Sequence, residues 1–131
     1  MDCIFCKIIN GDIPSYTIYE DDIVKVFLDI SPVSDGHSLI IPKKHFENIN
    51  DIDLETLSHI DKVTKKLYPI MKEKLKCLGI TRTQNNEYGQ DVKHYHLHLI
   101  PRYEKDDIVF KPKKEQIKDV EELYNDLKME E

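Results

Sequence analysis

The sequence predicts an α+β fold that has one antiparallel sheet of about five strands, one long helix and a C-terminal helix. Short runs rich in Val, Ile, Tyr and Phe, bounded by turn residues, occupy residues 16–41 and 80–100, which is typical of strands. Apolar residues recur at spacings of three and four over residues 53–77 and again after residue 114, which is typical of amphipathic helices. Strands on both sides of a long helix favour a layered α+β domain.

Turn residues divide the first part of the chain into a short N-terminal piece and three strands. Residues 3–11 predict a turn or helical piece that ends at Asn10-Gly11. The third strand is almost entirely apolar, so we expect it to be buried on both faces and to end at Pro42. The three strands are predicted over residues 16–20, 24–29 and 37–41, and they form an antiparallel meander.

The middle of the chain predicts one long amphipathic helix over residues 53–77. Asp51 or Asp53 is the expected N-cap, and Gly79 is the expected C-terminal stop. Pro69 lies inside the pattern, which predicts a kink or a break because proline removes a backbone donor.

Two further strands and a helix are predicted after this long helix. The strands cover residues 80–83 and 94–100, and Pro101 is expected to end the second of them. The terminal amphipathic helix is predicted over about 114–129. Because the chain shows no internal repeat and no linker, residues 1–131 are predicted to form one domain.

The composition favours an ordinary globular domain and excludes several functional classes. The chain has 131 residues, of which 40% are hydrophobic and 34% charged, with a formal net charge of -6. The negative charge argues against a nucleic-acid partner, because phosphate backbones are bound by surplus Lys and Arg. No apolar run reaches the ~20 residues of a membrane span, so no membrane partner is expected. Residues 1–11 lack the apolar centre of a secretory signal, and the expected location is the cytoplasm.

The three cysteines, Cys3, Cys6 and Cys77, argue against a disulfide scaffold because their number is odd. Cys77 is interpreted as a small buried residue. The pair Cys3-x-x-Cys6 could be a redox pair or could have no special role. A redox pair is disfavoured because Gly11 and Pro14 prevent the long helix that thioredoxin-type motifs open.

Three histidines at alternate positions carry the strongest functional pattern. In an extended strand, His94, His96 and His98 share one face and the intervening apolar residues share the other. Histidine titrates near neutral pH, which makes it an unusual choice for a merely solvated face. Three interpretations remain open on residue type: two ligands of a zinc ion with an open position, a nucleophile with proton-transferring neighbours, or a binding site for an anion.

The run from His94 to Ile100 resembles the H-φ-H-φ-H-φ-φ motif, in which φ is apolar, of the histidine triad or HIT family. Four further segments stand in the order of that family, and together they cover nearly all of the chain up to Tyr103. The sequence Ile100-Pro101-Arg102-Tyr103 is similar to the bacterial branch. The four segments are 3–14 (CIFCKIINGDIP), 19–22 (YEDD), 27–32 (FLDISP) and 36–45 (GHSLIIPKKH).

This resemblance implies a HIT-like fold, a homodimer that pairs the sheets of two subunits, and a small-molecule nucleotide as ligand. The implied reaction is hydrolysis or transfer at the α-phosphate of a nucleoside 5'-phosphate derivative, such as a dinucleoside polyphosphate or a nucleoside phosphoramidate. It proceeds through a nucleotidyl-histidine intermediate. One alternative is a nucleotide-binding regulatory module with little catalysis. Another is a zinc hydrolase that uses two of the triad histidines.

The resemblance also implies catalytic roles. His96 corresponds to the nucleophile, one of whose ring nitrogens attacks phosphorus while the other donates to a backbone carbonyl. His98 is expected to bind phosphate oxygens and to help protonate the leaving group. His37 corresponds to a histidine on the phosphate side, although a histidine after Asp35-Gly36 could also be a capping or surface residue.

Substrate-binding residues follow from the same resemblance. Asp29 is expected to accept hydrogen bonds from the ribose hydroxyls, although a turn residue before Ser31-Pro32 is the alternative. Ile4, Phe5, Phe27 and Ile30 are expected to flank the base, and each is also a core candidate. Polar and backbone contacts to phosphate or ribose are expected from Asn85 or Asn86 and from Gly89 and Gln90.

Asp91 departs from the pattern of the family. It stands where the phosphoramidase branch has a hydroxyl residue that assists departure of an amine. A carboxylate near a phosphate repels it unless the carboxylate turns away or is protonated, so this position weakens the specific prediction of phosphoramidase activity.

For the cysteine pair, the resemblance adds a third interpretation. In zinc-containing HIT proteins, such a pair joins the histidine after Pro-Lys-Lys and the first histidine of the triad. The implied ligands here are Cys3, Cys6, His45 and His94. They form a closed Cys2His2 set without an open position for catalysis, so the implied zinc is structural. No organic cofactor is expected.

Overall fold

The structure is a computed structural model that describes residues 2–129, so Met1, Glu130 and Glu131 at the ends of the predicted domain lie outside it. The described residues contain α1 (Ile4–Ile9), β1 (Thr17–Glu20), β2 (Val24–Leu28), β3 (Ser38–Pro42), α2 (Leu54–Leu75), β4 (Gly79–Thr83), β5 (Leu97–Arg102), a 3-10 turn (Lys114–Gln116) and α3 (Val120–Leu127). The strands form one antiparallel sheet in the order β1-β2-β3-β5-β4. The predicted α+β class is therefore confirmed.

The two faces of this sheet are covered by different helices. One face packs against the apolar stripe of α2, where Ile60, Val63 and Leu67 meet residues of β2, β3 and β5. The other face packs against α1, where Phe5 and Ile8 join a separate cluster. Because β3 lies at the centre of both layers, all of its residues are buried, as the apolar run predicts.

Pro42 is the last residue of β3, close to the end that was predicted for this strand, whereas Pro101, which was predicted to end β5, lies within it. Pro42 pairs with Val24 of β2, and Pro101 pairs with Ile80 of β4. The ladder between β3 and β5 spans only Ser38–Ile40 and Leu97–Leu99, so each proline lies beyond it and has a ladder partner on one side only. Proline is tolerated where a strand has a free edge, because no second ladder donor is needed there.

The histidine strand begins three residues later than predicted, at Leu97 instead of His94. The backbone before it makes other hydrogen bonds: the Tyr95 amide donates to the carbonyl of Phe46 at 2.7 Å, and the His94 carbonyl accepts from the ring of His96 at 2.8 Å. These groups are not free for the ladder. The segment is nonetheless buried through His96.

Helix α2 is continuous from Leu54 to Leu75, so Pro69 does not split it. The carbonyl that loses its donor to proline is that of Lys65, on an exposed part of the helix where water can bind it. Asp53 is the N-cap, and its side chain accepts from the Thr56 amide at 3.0 Å. None of the helices in residues 2–129 is long and apolar enough to cross a bilayer.

The predicted C-terminal stop of α2 at Gly79 is wrong. The helix ends at Lys76, which adopts the left-handed conformation (φ 59°) and donates its amide to the Lys72 carbonyl at 3.0 Å. Gly79 instead begins β4, opposite Arg102. The chain thus turns from helix to strand within three residues, without glycine at the cap.

The terminal helix is shorter than the predicted segment 114–129. A 3-10 turn is followed by extended backbone at Ile117, and α3 covers only Val120–Leu127. None of its residues is buried, and the side chains of Val120 and Leu127 are 77% and 73% exposed. Its amphipathic pattern therefore has no partner within the described chain.

Gly36 holds the turn that leads into β3. Its φ of +87° favours glycine, and an added Cβ would lie only 2.5 Å from Leu75 Cδ1. The absence of a side chain at Gly36 therefore allows Leu75, at the end of α2, to pack closely against the loop before His37.

Candidate functional site

A cavity of about 240 Å³ lies on the α1 side of the sheet, beside β2, β3 and the histidine segment. It brings together residues that the sequence assigned to separate tasks: the predicted base-flanking residues, the predicted ribose carboxylate and two triad histidines. Its predicted members are Ile4, Phe5, Phe27, Asp29, Ile30, His96 and His98. Phe5 and Phe27 are buried at 7% and 4% exposure, whereas Ile30 at 86% forms the rim.

His96 lies at the wall of this cavity with one ring nitrogen fully committed. Its Nδ1 is 2.8 Å from the carbonyl oxygen of His94, which accepts only, so Nδ1 carries the proton. The ring of Phe5 packs edge-on against the imidazole at 5.1 Å between centroids. In the neutral form of the ring, Nε2 therefore presents a lone pair, in an orientation that the His94 carbonyl and the ring of Phe5 fix.

A second chain of hydrogen bonds assigns the protons of His37 and His98. The Val33 amide donates to His37 Nδ1 at 3.1 Å, so the proton of the neutral His37 ring lies on Nε2. That nitrogen is 2.9 Å from His98 Nδ1 and donates to it. His98 consequently carries its own proton on Nε2. The His98 ring on the cavity wall thus presents a donor, beside Nε2 of His96.

Burial and charge both act on this pair of histidines. Burial lowers the pKa of His37, and the Asp29 carboxylate, whose Oδ2 is 3.6 Å from His37 Nε2, partly offsets the effect. Burial together with His96 and His37 lowers the pKa of His98. Asp29 itself is held by the Ser31 amide, which donates to Oδ1 at 2.8 Å. At neutral pH both imidazoles are therefore uncharged before an anion binds.

The trio of Asp29, His37 and His98 has its ligand atoms within 4.8 Å of one another, as a metal site would. The proton positions argue against a metal here. A cation at this position would bind the lone pair of His37 Nε2, so the ring proton would have to lie on Nδ1. Nδ1 would then point its N–H group at the N–H group of Val33, and the hydrogen bond from Val33 would be lost. We therefore assign the trio to hydrogen bonding.

A different cluster meets the requirements of a metal centre. The ligand atoms of Cys3, Cys6, His45 and His94 lie within 4.8 Å of one another, with one residue from the cap of α1, one from α1, one after β3 and one before β5. Cys3 Sγ is 3.4 Å from His94 Nδ1, and Cys6 Sγ is 3.3 Å from His45 Nδ1. The two Nδ1 atoms are 3.1 Å apart. These separations suit the tetrahedral sulfur and nitrogen ligands of zinc.

The protonation of His94 fits this centre as well. Its Nε2 is 2.8 Å from the carbonyl oxygen of Pro42 and donates to it, which leaves the Nδ1 lone pair for a metal. Burial lowers the pKa of His94 to about 4, so the imidazole is neutral, as a metal ligand must be. The donor set and the tautomer therefore both fit zinc.

The loop before the histidine segment is held mainly by its own hydrogen bonds. Gln90 is buried, its amide nitrogen donates to the carbonyls of Glu47 and Val92, and its Oε1 accepts from the Glu87 amide. Asn86 accepts from the Ile49 amide and exchanges hydrogen bonds with Gln84.

The remaining predicted residues of this loop are Asn85 and Gly89. Asn85 is exposed, and Gly89 lies at φ +89° on the surface. Among the described residues that line the cavity, none comes from residues 84–90. Asn85, Asn86, Gly89 and Gln90 thus lie outside the lining of this cavity, and their contacts with a substrate stay predictions.

Asp91 is the polar residue at the mouth of the cavity. Its Oδ1 is 3.6 Å from His96 Nε2, and its side chain is 84% exposed. The same residue borders a second depression of about 520 Å³. The carboxylate therefore faces the reactive nitrogen and does not turn away from it.

Several groups in the site escaped prediction from the sequence. The cavity is also lined by Ile8, Ile13, Pro14, Ser15, Leu39 and Val92. The histidine tautomers are determined by backbone groups, namely the Val33 amide and the carbonyls of Pro42 and His94. The identity of a residue does not reveal such contacts, because every residue carries the same backbone groups. The only sequence signal for the apolar wall residues is the apolar run of β3, which predicts burial on both faces of that strand and therefore a covering element on the side where α1 packs.

Comparison with known proteins gives a consistent family. The model of the HIT domain matches residues 10–105. A crystal structure of a HIT family protein from Bacillus anthracis is similar to this chain, with a TM-score of 0.81 and 43% identity over 95% of this chain and 91% of that one.

Two further similar proteins bear on activity and metal. An adenosine 5'-monophosphoramidase of Saccharomyces cerevisiae is 41% identical over 100 residues, which are 76% of this chain and 62% of that protein. The structure of a zinc-bound histidine triad family protein from Mycobacterium smegmatis has a TM-score of 0.79 and 36% identity over 85% of this chain and 82% of that one.

Proposed function

Because this chain belongs to the HIT domain family, we propose that it is an enzyme that cleaves nucleoside 5'-phosphate derivatives at the α-phosphate. The reaction is hydrolysis or transfer, and it proceeds through a nucleotidyl-histidine intermediate on His96. The observation that carries this proposal is the His96 imidazole, 97% buried, whose Nδ1 is held by the His94 carbonyl and whose ring lines a cavity that also contains His98 and Asp29.

The nucleoside occupies the apolar part of the cavity. Phe5, Phe27 and Ile30 contact the base, and these walls do not select strongly among bases because they offer no hydrogen bonds. The second oxygen of Asp29 accepts from the ribose hydroxyls while the Ser31 amide holds the first. The sugar thereby places the α-phosphate beside the histidines.

His96 and His98 carry the chemical step. The lone pair of His96 Nε2 attacks phosphorus, the bond to the leaving group breaks, and His98 Nε2–H donates to a phosphate oxygen. The charge of the bound phosphate favours uptake of a proton by the His37–His98 pair, and this proton passes to the leaving group. Water then attacks phosphorus and gives a proton to the His37–His98 pair, which replaces the proton passed to the leaving group. The P–N bond breaks, and its electron pair returns to His96 Nε2.

The leaving group belongs to the class of phosphoric anhydrides or phosphoramidates. The similar yeast protein is an adenosine 5'-monophosphoramidase, which supports the second of these. For the reaction itself, no organic cofactor is required, because imidazole is nucleophilic without one.

Zinc would be held by Cys3, Cys6, His45 and His94. It would cross-link α1 to the segments that follow β3 and precede β5. The zinc-bound similar structure supports this assignment. All four ligands are protein groups, so no position is left for water or substrate. The centre is structural in this proposal, and His96 works without it.

We also propose that the protein is a homodimer whose two sheets pair. The apolar face of α3 supports the proposal, since Val120, Tyr124 and Leu127 remain exposed in one chain. Both edges of the sheet, β1 and β4, also lack a neighbouring strand within the described residues.

A covalent adduct on His96 is the expected outcome that tests the enzymatic proposal. The protein is mixed with a panel of adenosine and guanosine dinucleoside polyphosphates and phosphoramidates, quenched in base and analysed by mass spectrometry. Base is used because phosphoramidates of histidine are labile in acid. We expect a nucleoside monophosphate on His96 and on no other histidine. His96→Asn should lower kcat by at least about 10³-fold, since it removes the attacking nitrogen.

The control is His59→Asn, which changes a histidine that lies on α2 outside the cavity. It should retain turnover and form the adduct on His96. Undiminished turnover in His96→Asn, or an adduct on another residue, would reject the mechanism.

A nucleotide-binding module without turnover is the second candidate, and one observation favours it. The Asp91 carboxylate lies 3.6 Å from His96 Nε2, where it repels an incoming phosphate. Tight binding of monophosphates with no turnover on any member of the panel would support this candidate. A zinc hydrolase using two triad histidines is disfavoured, since His94 Nδ1 faces two cysteines and His98 Nδ1 accepts from His37.

A further inference from the structure

Asp91 faces the nitrogen on which the proposed reaction depends. Its Oδ1 is 3.6 Å from His96 Nε2, and the amide of Val92 donates to the same oxygen at 3.0 Å. The hydrogen bond holds an exposed carboxylate in front of a buried imidazole. We propose that Asp91 is a specificity-determining residue that selects substrates whose leaving group carries a positive charge. This inference rests on the proposed function, and it names the preferred class as nucleoside phosphoramidates of amines that bear a second, protonated amino group.

The geometry of substitution places the leaving group in the space that Asp91 borders. In phosphoryl transfer the attacking and leaving atoms are roughly in line, so a leaving group points away from His96 Nε2 toward the open side of the cavity. The nucleoside occupies the opposite part, between Phe5 and Ile30. On the open side, Ile4, Asp91 and Val92 belong to the cavity and also to the neighbouring depression of about 520 Å³. A leaving group that extends beyond a few atoms therefore passes Asp91 and enters this depression.

The charges along that path disfavour an anionic leaving group. Besides Asp91, the depression is lined by Glu47 and by Asp2, whose carboxylate is paired with Lys7 Nζ at 3.1 Å, so Asp91 and Glu47 supply the carboxylates that this ion pair leaves available. Lys93 is the sole lysine or arginine among the described residues that line it, and its Nζ already donates to the backbone carbonyls of Glu87 and Gln90. A polyphosphate leaving group would meet like charge here, whereas an ammonium group would find a carboxylate near the nucleophile.

The charge of Asp91 also leads to an expectation about the affinity for the product, a nucleoside monophosphate. A nucleoside monophosphate carries a doubly charged phosphate next to His96, so Asp91 should weaken its binding. Asp91 thus acts by charge on the leaving group of the substrate and on the phosphate of the product. Removing its charge should change these two affinities in opposite directions. The preference for ammonium-bearing ligands should fall while the affinity for monophosphate rises.

The test compares three adenosine 5'-phosphoramidates whose amines have similar length: 1,2-diaminoethane, propylamine and glycine. We measure kcat/KM for the wild-type protein and for Asp91→Asn. The wild type should favour the ammonium-bearing over the carboxylate-bearing substrate, and Asp91→Asn should reduce this ratio by about threefold to tenfold. Because the intrinsic reactivity of each substrate is the same for both proteins, the change in the ratio isolates Asp91. Asp22→Asn, which removes an exposed carboxylate in the β1–β2 turn, should leave the ratio unchanged.

A binding measurement keeps the inference separate from the catalytic proposal. Calorimetry with the matching phosphodiesters of AMP, which replace the amide nitrogen with oxygen, gives the same ratio from Kd without turnover. AMP itself should bind about threefold more tightly to Asp91→Asn.

The outcomes are distinct. A wild type that binds no nucleotide overturns both proposals. A wild type that binds the phosphodiesters but turns over none of the phosphoramidates overturns only the catalytic proposal, and the Kd ratio then decides the role of Asp91. An unchanged ratio in Asp91→Asn, in kcat/KM or in Kd, overturns the selection by Asp91 and leaves the nucleophile untouched.

Discussion

At the scale of single residues, the hydrogen-bond partner of each histidine decides which of its ring nitrogens is available. His94, His96 and His98 have the same side chain, yet their partners are a carbonyl of Pro42, a carbonyl of His94 and the ring of His37. Each partner removes one ring nitrogen from chemistry and leaves the other with a lone pair or a proton. One residue type thereby offers, within five positions, the proposed metal ligand, the proposed nucleophile and a hydrogen-bond donor.

Asp21 shows a comparable dependence on partners, outside the active site. Although burial opposes its ionisation, hydrogen bonds from His59, from the Val24 and Ile23 amides and from Tyr19 together lower the pKa of its carboxyl well below the usual value. The carboxylate joins the turn between β1 and β2 to His59 of α2 at 2.7 Å.

We predict a pH-dependent loss of stability in Asp21→Asn. The folded pKa is lower than the unfolded value of about 4, so the ionised group stabilises the fold above that pH, and its contribution is lost as the pH falls through the folded pKa. At pH 7 the variant should be less stable by about 1–2 kcal/mol in urea unfolding, and the difference should shrink below pH 4. Asp22→Asn in the same turn should change stability by less than about 0.5 kcal/mol. A difference in stability that is as large at pH 2 as at pH 7 would refute the assignment, because the contribution must shrink once the pH falls below the unfolded pKa.

At the scale of elements, α1 depends on other parts of the chain. It has six residues, which is too short for a helix that is stable alone. Its buried residues Phe5 and Ile8 pack on the sheet, and Phe5 also contacts the rings of His94 and His96. The proposed zinc, with ligands at the start of α1, would hold this helix against the active segment. The metal would therefore act on the nucleophile only through packing.

Zinc removal is expected to lower stability before it lowers the chemical rate. Elemental analysis should find one zinc per chain, and Cys6→Ser should lose most of it, with a Tm lower by about 5 °C or more. At a temperature where the variant is folded, adduct formation on His96 should remain detectable. Cys77→Ala, which changes a buried free cysteine outside the cluster, should keep its zinc. A full zinc content in Cys6→Ser would contradict the ligand assignment.

At the scale of the whole molecule, sheet order brings distant residues into one site. After β3 the chain forms α2 and the edge strand β4, and it then returns as β5 between β4 and β3. This pairing places Leu39 opposite His98. His37, at the start of β3, thereby comes within 2.9 Å of a residue 61 positions later. The antiparallel pairing of two separated strands thus assembles the proton-carrying half of the site.

We predict that the protein sediments as a dimer. Analytical ultracentrifugation should give about twice the chain mass of 15.5 kDa at micromolar concentration. Leu127→Asp on the exposed face of α3 should shift the equilibrium toward monomer, because it places a charge on an apolar patch. Val109→Asp, at an exposed position before α3, is the matched control. A monomer mass at every concentration would rule out the dimer.

The fold class and the order of the helices and strands follow from the sequence pattern, and the residues of the proposed metal centre follow from its resemblance to the HIT family. Periodicity alone located α2, and the strands needed only β-branched runs and turn residues. The resemblance brought together Cys3, Cys6, His45 and His94 before any distance was known. Local sequence is sufficient for the helices and strands because they depend on side-chain type and spacing, whereas the set of metal ligands is what the resemblance to the HIT family implies.

The tertiary structure decided where elements end and which atoms react. Pro42 and Pro101 remain in strands because the ladder between β3 and β5 stops short of them, and α2 ends at Lys76 because the chain must turn into β4. The proton on His98 Nε2 depends on the Val33 amide through His37. These outcomes rest on pairing and hydrogen bonds between distant backbone groups, which every residue carries alike and which no pattern of side chains records.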